Sequence, residues 1–372
     1  MHILDSSHRD LTGPADIIAS LPGILGFYPQ ESIVLLGLDE HDDPNCVTLG
    51  PVLRADLTYV AEVCASLDDF PLSECIAVYA VIISRIPNSG LVNEAAEAIY
   101  GATSTAGLPL VDACWHVSEV APGTPYRIMF GPGPDSRVMR MCGDQWFFGT
   151  VSSVMASPAM YALHRNNALP ELNREDTFRF FDPVPTSEEC DHADRESLTW
   201  LAMKRGLELC ERLDRGDEGA SLAVRQGCEV LCMGQSRPIV EPWDTDELAD
   251  LLGEADDRLA LATLLSRSTL RDRLLVHALD APLSAAHALL SVAKTFTSTV
   301  RANALSAWAV IALERGLTSW ALAALVTAQQ ELPGHSLSEI LITLIHNGCH
   351  DELVDVIRDG SLAGWAKRTA EP

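Results

Sequence analysis

LTGPADIIASLPGILGFYPQESIVLLGL, residues 11–38, decides the fold, because a helix, a tight corner and a strand follow one another in it with almost no connecting chain. Pro14 suits the first helical position, where the N–H it lacks would have no partner anyway. Asp16 stands where a carboxylate closes a first turn. Pro22 predicts the end of the helix, since an interior proline removes a hydrogen bond and crowds the preceding turn. Gly23, Gly26 and Pro29 then double the chain back. The apolar run from Ile33 to Leu38 predicts a strand covered on both faces.

Working outward, DEHDDPN at 39–45 is too short for a crossover helix, so residues 47–54 are expected to return as the antiparallel partner of that strand. A helix over 57–67, a strand over 75–84, a helix over 91–103 and a strand over 108–117 then alternate, which predicts right-handed crossovers and a parallel section. YRIMF at 126–130 and RVMRM at 137–141 flank a Gly-Pro loop and read as a second hairpin. Together these elements predict an α/β mixed-sheet domain over residues 1–150, three-layered and Rossmann-like.

Beyond it the pattern changes. Residues 153–166 read as a connecting helix, and FDPVPTSEECD at 181–191 as a boundary, giving a linker over 151–185. From 186 to 372 only helical periods remain, over 198–213, 222–233, 246–266, 270–279 and 283–296. Leu305, Trp308, Ala309 and Ala312 are spaced i, i+3, i+4, i+7, and Ala321, Ala324, Leu325 and Ala328 repeat that spacing. With Gly316 and Pro333 they stand at the separations of half a tetratricopeptide repeat, predicting an all-α domain with a tetratricopeptide-like helix pair. A further helix carries Leu337, Ile340, Leu341, Leu344 and Ile345.

The opening PADIIASLPGILGFYPQESIVLLGL, LRADL at 53–57, RDRLLVHAL at 271–279 and AWAVIALERGLTSWALAALVTAQQELPGHSL near the end resemble a family of uncharacterised actinobacterial proteins, domain of unknown function 4192. The resemblance covers most of the chain and implies no particular activity, so it transfers no catalytic residue. It would also imply paired cysteines after a tryptophan-rich strand. Here only Cys142 is present, beside Trp146, Phe147 and Phe148.

The chain has 372 residues, which predicts more than one domain. A net charge of −26 disfavours binding to phosphate backbones, which demands clustered Lys and Arg. The start, MHILDSSHRDL, lacks the apolar core of a signal peptide. No run approaches the length that crosses a bilayer. Ten cysteines without a CxxC pair suit reduced thiols, hence a cytoplasmic protein. Cys228 and Cys232, four apart on one helical face, read as packing residues.

Ligands of open α/β sheets sit beyond the carboxyl ends of parallel strands. Those ends offer Arg54, Asp56, Ser84 and Arg85, which could hold a small anion or polar metabolite, with Asp56 orienting an arginine. Asp56 is equally placed to cap the helix that follows. Asp39, Asp43 and Asn45 alternate as in a calcium loop but lack its glycine and final glutamate. GPGPDS at 131–136 misses the last glycine of a dinucleotide loop, and GxxxxGK[ST], GxSxG and HExxH are absent. His346, Cys349 and His350 form one cluster, and Glu189, Asp191 and His192 another. Neither completes a metal site, so no metal or cofactor is expected. The sequence therefore favours a non-catalytic interaction or regulatory protein that docks a protein partner through its helical domain. The alternative is an enzyme or sensor binding a small polar or anionic ligand at the strand ends.

Overall fold

The computed structural model describes residues 2–4, 10–11, 13–41, 46–65, 67, 72, 75–103, 107–132, 143–184, 191–233, 237–240, 253–346 and 350–366. The chain divides into two compact units, one made of residues 1–165, 169–174 and 346–348, the other of 166–168, 175–345 and 349–372.

The first unit is a mixed sheet with helices. Its elements are β1 (His2–Leu4), β2 (Asp10–Leu11), α1 (Pro14–Leu25), β3 (Ser32–Glu40), β4 (Cys46–Asp56), α2 (Val60–Ala65), β5 (Ala77–Ile83), α3 (Gly90–Gly101), β6 (Ala113–Val117), β7 (Pro125–Phe130), β8 (Phe148–Thr150) and α4 (Tyr161–Arg165). The strand order is β2-β1-β4-β3-β5-β6-β7-β8. β3 runs antiparallel to both neighbours, β4 and β5, while β5 and β6 are parallel and joined through α3. The expected hairpin and parallel section are both present. Every residue of β3 from Ser32 to Leu38 is buried, as a strand covered on both sides requires.

Ile33, Leu35, Ala80 and Ile82 point to one face, where Val60, Val92, Ala95 and Ile99 pack over them. On the other side Tyr79, Trp115 and Trp146 meet edge to face, with centroids 4.8–5.6 Å apart. The Trp115 indole donates to the Trp146 carbonyl at 2.8 Å.

Several local expectations are corrected. α1 does not end at Pro22 but runs through it to Leu25 and stops at Gly26, which takes the left-handed conformation (φ 76°). Burial of Ile17, Ile18 and Leu21 outweighs the hydrogen bond that the proline removes. Asp16 does not cap the helix, whose N-cap is Gly13; its carboxylate accepts the Ser152 hydroxyl at 2.7 Å instead. The segment after Asp56 is a 3₁₀ turn over Leu57–Tyr59 followed by the short α2. β7 pairs with β8 over Pro125–Arg127; the hairpin partner expected at 137–141 lies outside the described residues, along with 133–136 and Cys142. The connector expected over 153–166 is two 3₁₀ turns and α4, the second turn opening at Pro158.

In the second unit every described element is a helix: α5 (Arg174–Arg179), α6 (Asp191–Asp214), α7 (Glu218–Met233), α8 (Ala255–Leu265), α9 (Ser268–Asp280), α10 (Pro282–Thr295), α11 (Ser298–Glu314), α12 (Thr318–Glu331), α13 (Ser336–His346) and α14 (His350–Ala366). α11 is buried all round from Val300 to Leu313, which makes it the central rod of the bundle. Ala321, Ala324, Leu325 and Ala328 are fully buried on α12, which packs against α11. Gly206 of α6 lets that helix approach α8 closely, because a Cβ there would come within 2.0 Å of Ser266 Oγ.

Candidate functional site

One row of residues crosses the sheet where β4, β5 and β6 end and β3 and β7 begin. Asp56 pairs with Ser32, Ser32 with Ile83, Ile83 with Val117, and Val117 with Tyr126. With strands about 4.8 Å apart, the ends of β4 and β5 are about 10 Å from each other across β3, within the reach of one small ligand.

The four residues expected from the sequence fall at this rim in two pairs, each held by one of two consecutive residues. Ser32 takes the first pair. Its hydroxyl accepts Nε and Nη2 of Arg54 at 3.0 and 2.6 Å, and Arg54 also meets Asp56 Oδ1 at 2.6 Å and stacks over the Phe27 ring at 6.0 Å. Asp56 thus orients an arginine and makes no side-chain cap for the turn it precedes. Glu31 takes the second pair. Its Oε2 accepts the Ser84 hydroxyl at 2.8 Å and its Oε1 the Arg85 backbone N–H at 3.0 Å. The guanidinium of Arg85, 70% exposed, lies 3.6 Å from Glu119.

The sequence reading missed Glu31, Asn88, His116 and Arg127. Glu31 has φ 40° and Asn88 φ 61°, left-handed values that cost a non-glycine residue roughly 1–2 kcal/mol. Before β3 the sequence offered only the Gly23, Gly26 and Pro29 corner, and no motif marks the strain. His116 is buried with Nε2 3.1 Å from the Ser84 carbonyl. Burial holds its pKa below the ordinary histidine value, and Arg127 adds to that effect, while the Ser84 carbonyl and Glu31 oppose it. Arg127, on β7 opposite His116, donates to the Asn88 side chain.

Chemically the rim is an alternation of guanidiniums and carboxylates. Arg85, Arg127 and Glu119 face solvent, over an inner layer of Ser32, Ser84 and His116. Ser84 is no accessible nucleophile, for it is 1% exposed and its hydroxyl is engaged by Glu31. Among the described residues no group of three His, Cys, Asp or Glu is arranged to hold a metal ion. Of the sequence clusters, Glu189 and Cys349 lie outside the described residues, as do Asp43 and Asn45 of the acidic loop. No described helix is long and apolar enough to cross a membrane. Cys228 is buried and Cys232 exposed, neither in a disulfide.

No curated protein and no solved structure matches the chain. A family does: the sequence model described as "Domain of unknown function (DUF4192)" matches residues 14–352, nearly the whole length, and the chain belongs to that family.

Proposed function

We propose that the protein is a non-catalytic regulatory protein whose α/β unit binds a small polar, anionic ligand at the rim formed by Arg54, Asp56, Ser84 and Arg85. The observation that carries this reading is the Glu31–Ser32 dipeptide. One strained residue and its neighbour hold both expected pairs in fixed positions, and backbone strain of this kind clusters at ligand clamps. An anion entering there would displace Glu119 from Arg85 and recruit Arg127, exchanging one exposed ion pair for charge-assisted bonds from two guanidiniums. Crossover connections around β3 and α3 support the finer, Rossmann-like description, in which ligands gather at such strand ends.

Docking of a protein partner through the helical unit has weaker support. Ala321 and Ala328, whose spacing suggested a tetratricopeptide-like groove, are fully buried, and α11 is covered on every side, as in a closed bundle.

Titrating citrate or inorganic phosphate into the full chain while following thermal unfolding tests the ligand reading. It expects a concentration-dependent rise in Tm that Arg85→Ala combined with Arg127→Ala removes. A rise of equal size in the double variant, or none in the parent chain, would discard it.

A further inference from the structure

The helical unit contains a second polar feature, independent of the rim. The Phe180 ring has Trp308 at 5.9 Å, Trp320 at 5.3 Å and Phe181 at 5.0 Å between centroids, with the ammonium of Lys294 5.7 Å from its centre. Phe181 also meets Trp308 at 4.9 Å. Such edge-to-face packing is ordinary for a core, but the polar atoms within it are not satisfied as a core demands. Trp308 and Trp320 are 0% and 1% exposed, and neither indole N–H has an acceptor. Thr177, one turn before Phe180, is likewise buried with an unpaired hydroxyl. An unsatisfied buried donor costs about 1–3 kcal/mol, so two on one aromatic cluster imply a missing acceptor.

The acceptors nearby are already in use. Arg301, itself buried, donates to the carbonyls of Phe181 and Ala293 at 2.9 and 2.6 Å and lies 3.2 Å from Glu331. Lys294 gives one proton to the Asp182 carbonyl at 3.0 Å, and the Val184 carbonyl accepts Arg195. What remains is two indole donors without acceptors and the Lys294 ammonium against an aromatic wall. Phe180 and Lys294 are only half-buried, so the cluster has an outer side at the surface.

We infer that the Phe180–Trp308–Trp320–Lys294 cluster binds a small organic carboxylate, its apolar body against the phenylalanine rings and its oxygens accepting from the two indoles and the lysine ammonium. The chemistry selects the class. Only acceptors are wanted, an anion answers Lys294, and a flat or short apolar body matches the rings. Burial, aided by Arg301, brings the Lys294 ammonium down to about 8, against the attraction of Asp182. It therefore still carries its charge at neutral pH, and a bound carboxylate would raise that value again.

Sodium benzoate is the probe. The full chain has seven tryptophans, hence seven indole N–H resonances in a ¹⁵N correlation spectrum, and Trp308→Phe and Trp320→Phe identify two of them. Benzoate should move those two saturably at millimolar concentration, while sodium chloride at equal ionic strength should not. Lys294→Met should weaken the titration by about tenfold and Lys294→Arg should largely keep it. Ligand binding at the rim would leave these two resonances unmoved, so failure of either proposal is visible separately. The inference is overturned if benzoate shifts only other indoles, if Lys294→Met titrates like the parent, or if a high-resolution crystal soaked in benzoate shows both indole nitrogens bonded to ordered water alone.

Discussion

Nε2 of His335 lies 2.9 Å from Oδ1 of Asn303, an oxygen that also accepts Nη1 of Arg271 at 2.7 Å. With two donors on one oxygen, the other side of the imidazole, Nδ1, must accept, and it faces the Ser338 hydroxyl at 2.9 Å and the Ser306 hydroxyl at 3.5 Å. Asn303 completes the arrangement by donating to the Leu265 carbonyl at 2.7 Å, and Gln329 donates to Ser338 and to the His335 carbonyl. One asparagine of the central helix α11 thereby ties down α8, α9 and the start of α13.

This knot makes the helical unit acid-sensitive. Burial, then the nearby Arg271, lowers the pKa of His335 to about 4, while an unfolded histidine titrates near 6.5. Between those values the unfolded chain binds the extra proton, so stability is full above about pH 6.5 and falls as pH drops towards 4, by up to about 3 kcal/mol. Urea unfolding at steps of pH should show that slope, and His335→Gln should flatten it. An unchanged slope in the variant would contradict the assignment.

Removing the shared oxygen should be costly at any pH. Asn303→Leu leaves the buried Arg271 and His335 each short of a partner, at about 1–3 kcal/mol apiece, so a loss of roughly 2–6 kcal/mol is expected in urea melts. A loss below about 1 kcal/mol would mean that the groups re-pair within the bundle.

At the rim, Glu31 separates strain from bonding. Glu31→Ala keeps the left-handed backbone and loses both acceptor oxygens, whereas Glu31→Gly loses the oxygens but relieves the strain. The glycine variant should therefore be about 1 kcal/mol more stable than the alanine variant. Equal midpoints for the two would show that Glu31 stores no strain.

Helix packing gives a steric prediction. A Cβ at Gly206 would lie 2.0 Å from Ser266 Oγ and 2.9 Å from the Thr263 carbonyl, and the second atom is backbone. Gly206→Ala should destabilise the chain by about 1–3 kcal/mol despite alanine's higher helix propensity. Gly206→Ala combined with Ser266→Ala should recover part of the loss. A variant as stable as the parent would mean that α6 shifts freely.

The two cysteines four apart on α7 should differ in reactivity. Burial pushes the Cys228 thiol up to about 12, whereas Cys232 is exposed. Alkylation at pH 8, read by peptide mass spectrometry, should modify Cys232 in the folded chain and Cys228 only after denaturation. Labelling of both at one rate would point to local opening of α7.

The sequence by itself determined the β3–β4 hairpin, the parallel pair β5 and β6, and the change from a sheet-bearing part to a helical part. An apolar run such as 33–38 has to be covered on both sides, and the periods of 3.6 beyond residue 186 can only bury helical faces. It also placed Arg54, Asp56, Ser84 and Arg85 at one rim, since charged residues that follow apolar strands fall at strand ends. Tertiary structure decided the rest, because these outcomes depend on partners far away in the chain. Pro22 stays helical since Ile17, Ile18 and Leu21 find a core, and Asp16 turns from its own helix end to Ser152. Glu31 becomes the holder of Ser84 and Arg85 because β3 runs back beside β5, a pairing between residues 53 apart in sequence that no local pattern encodes.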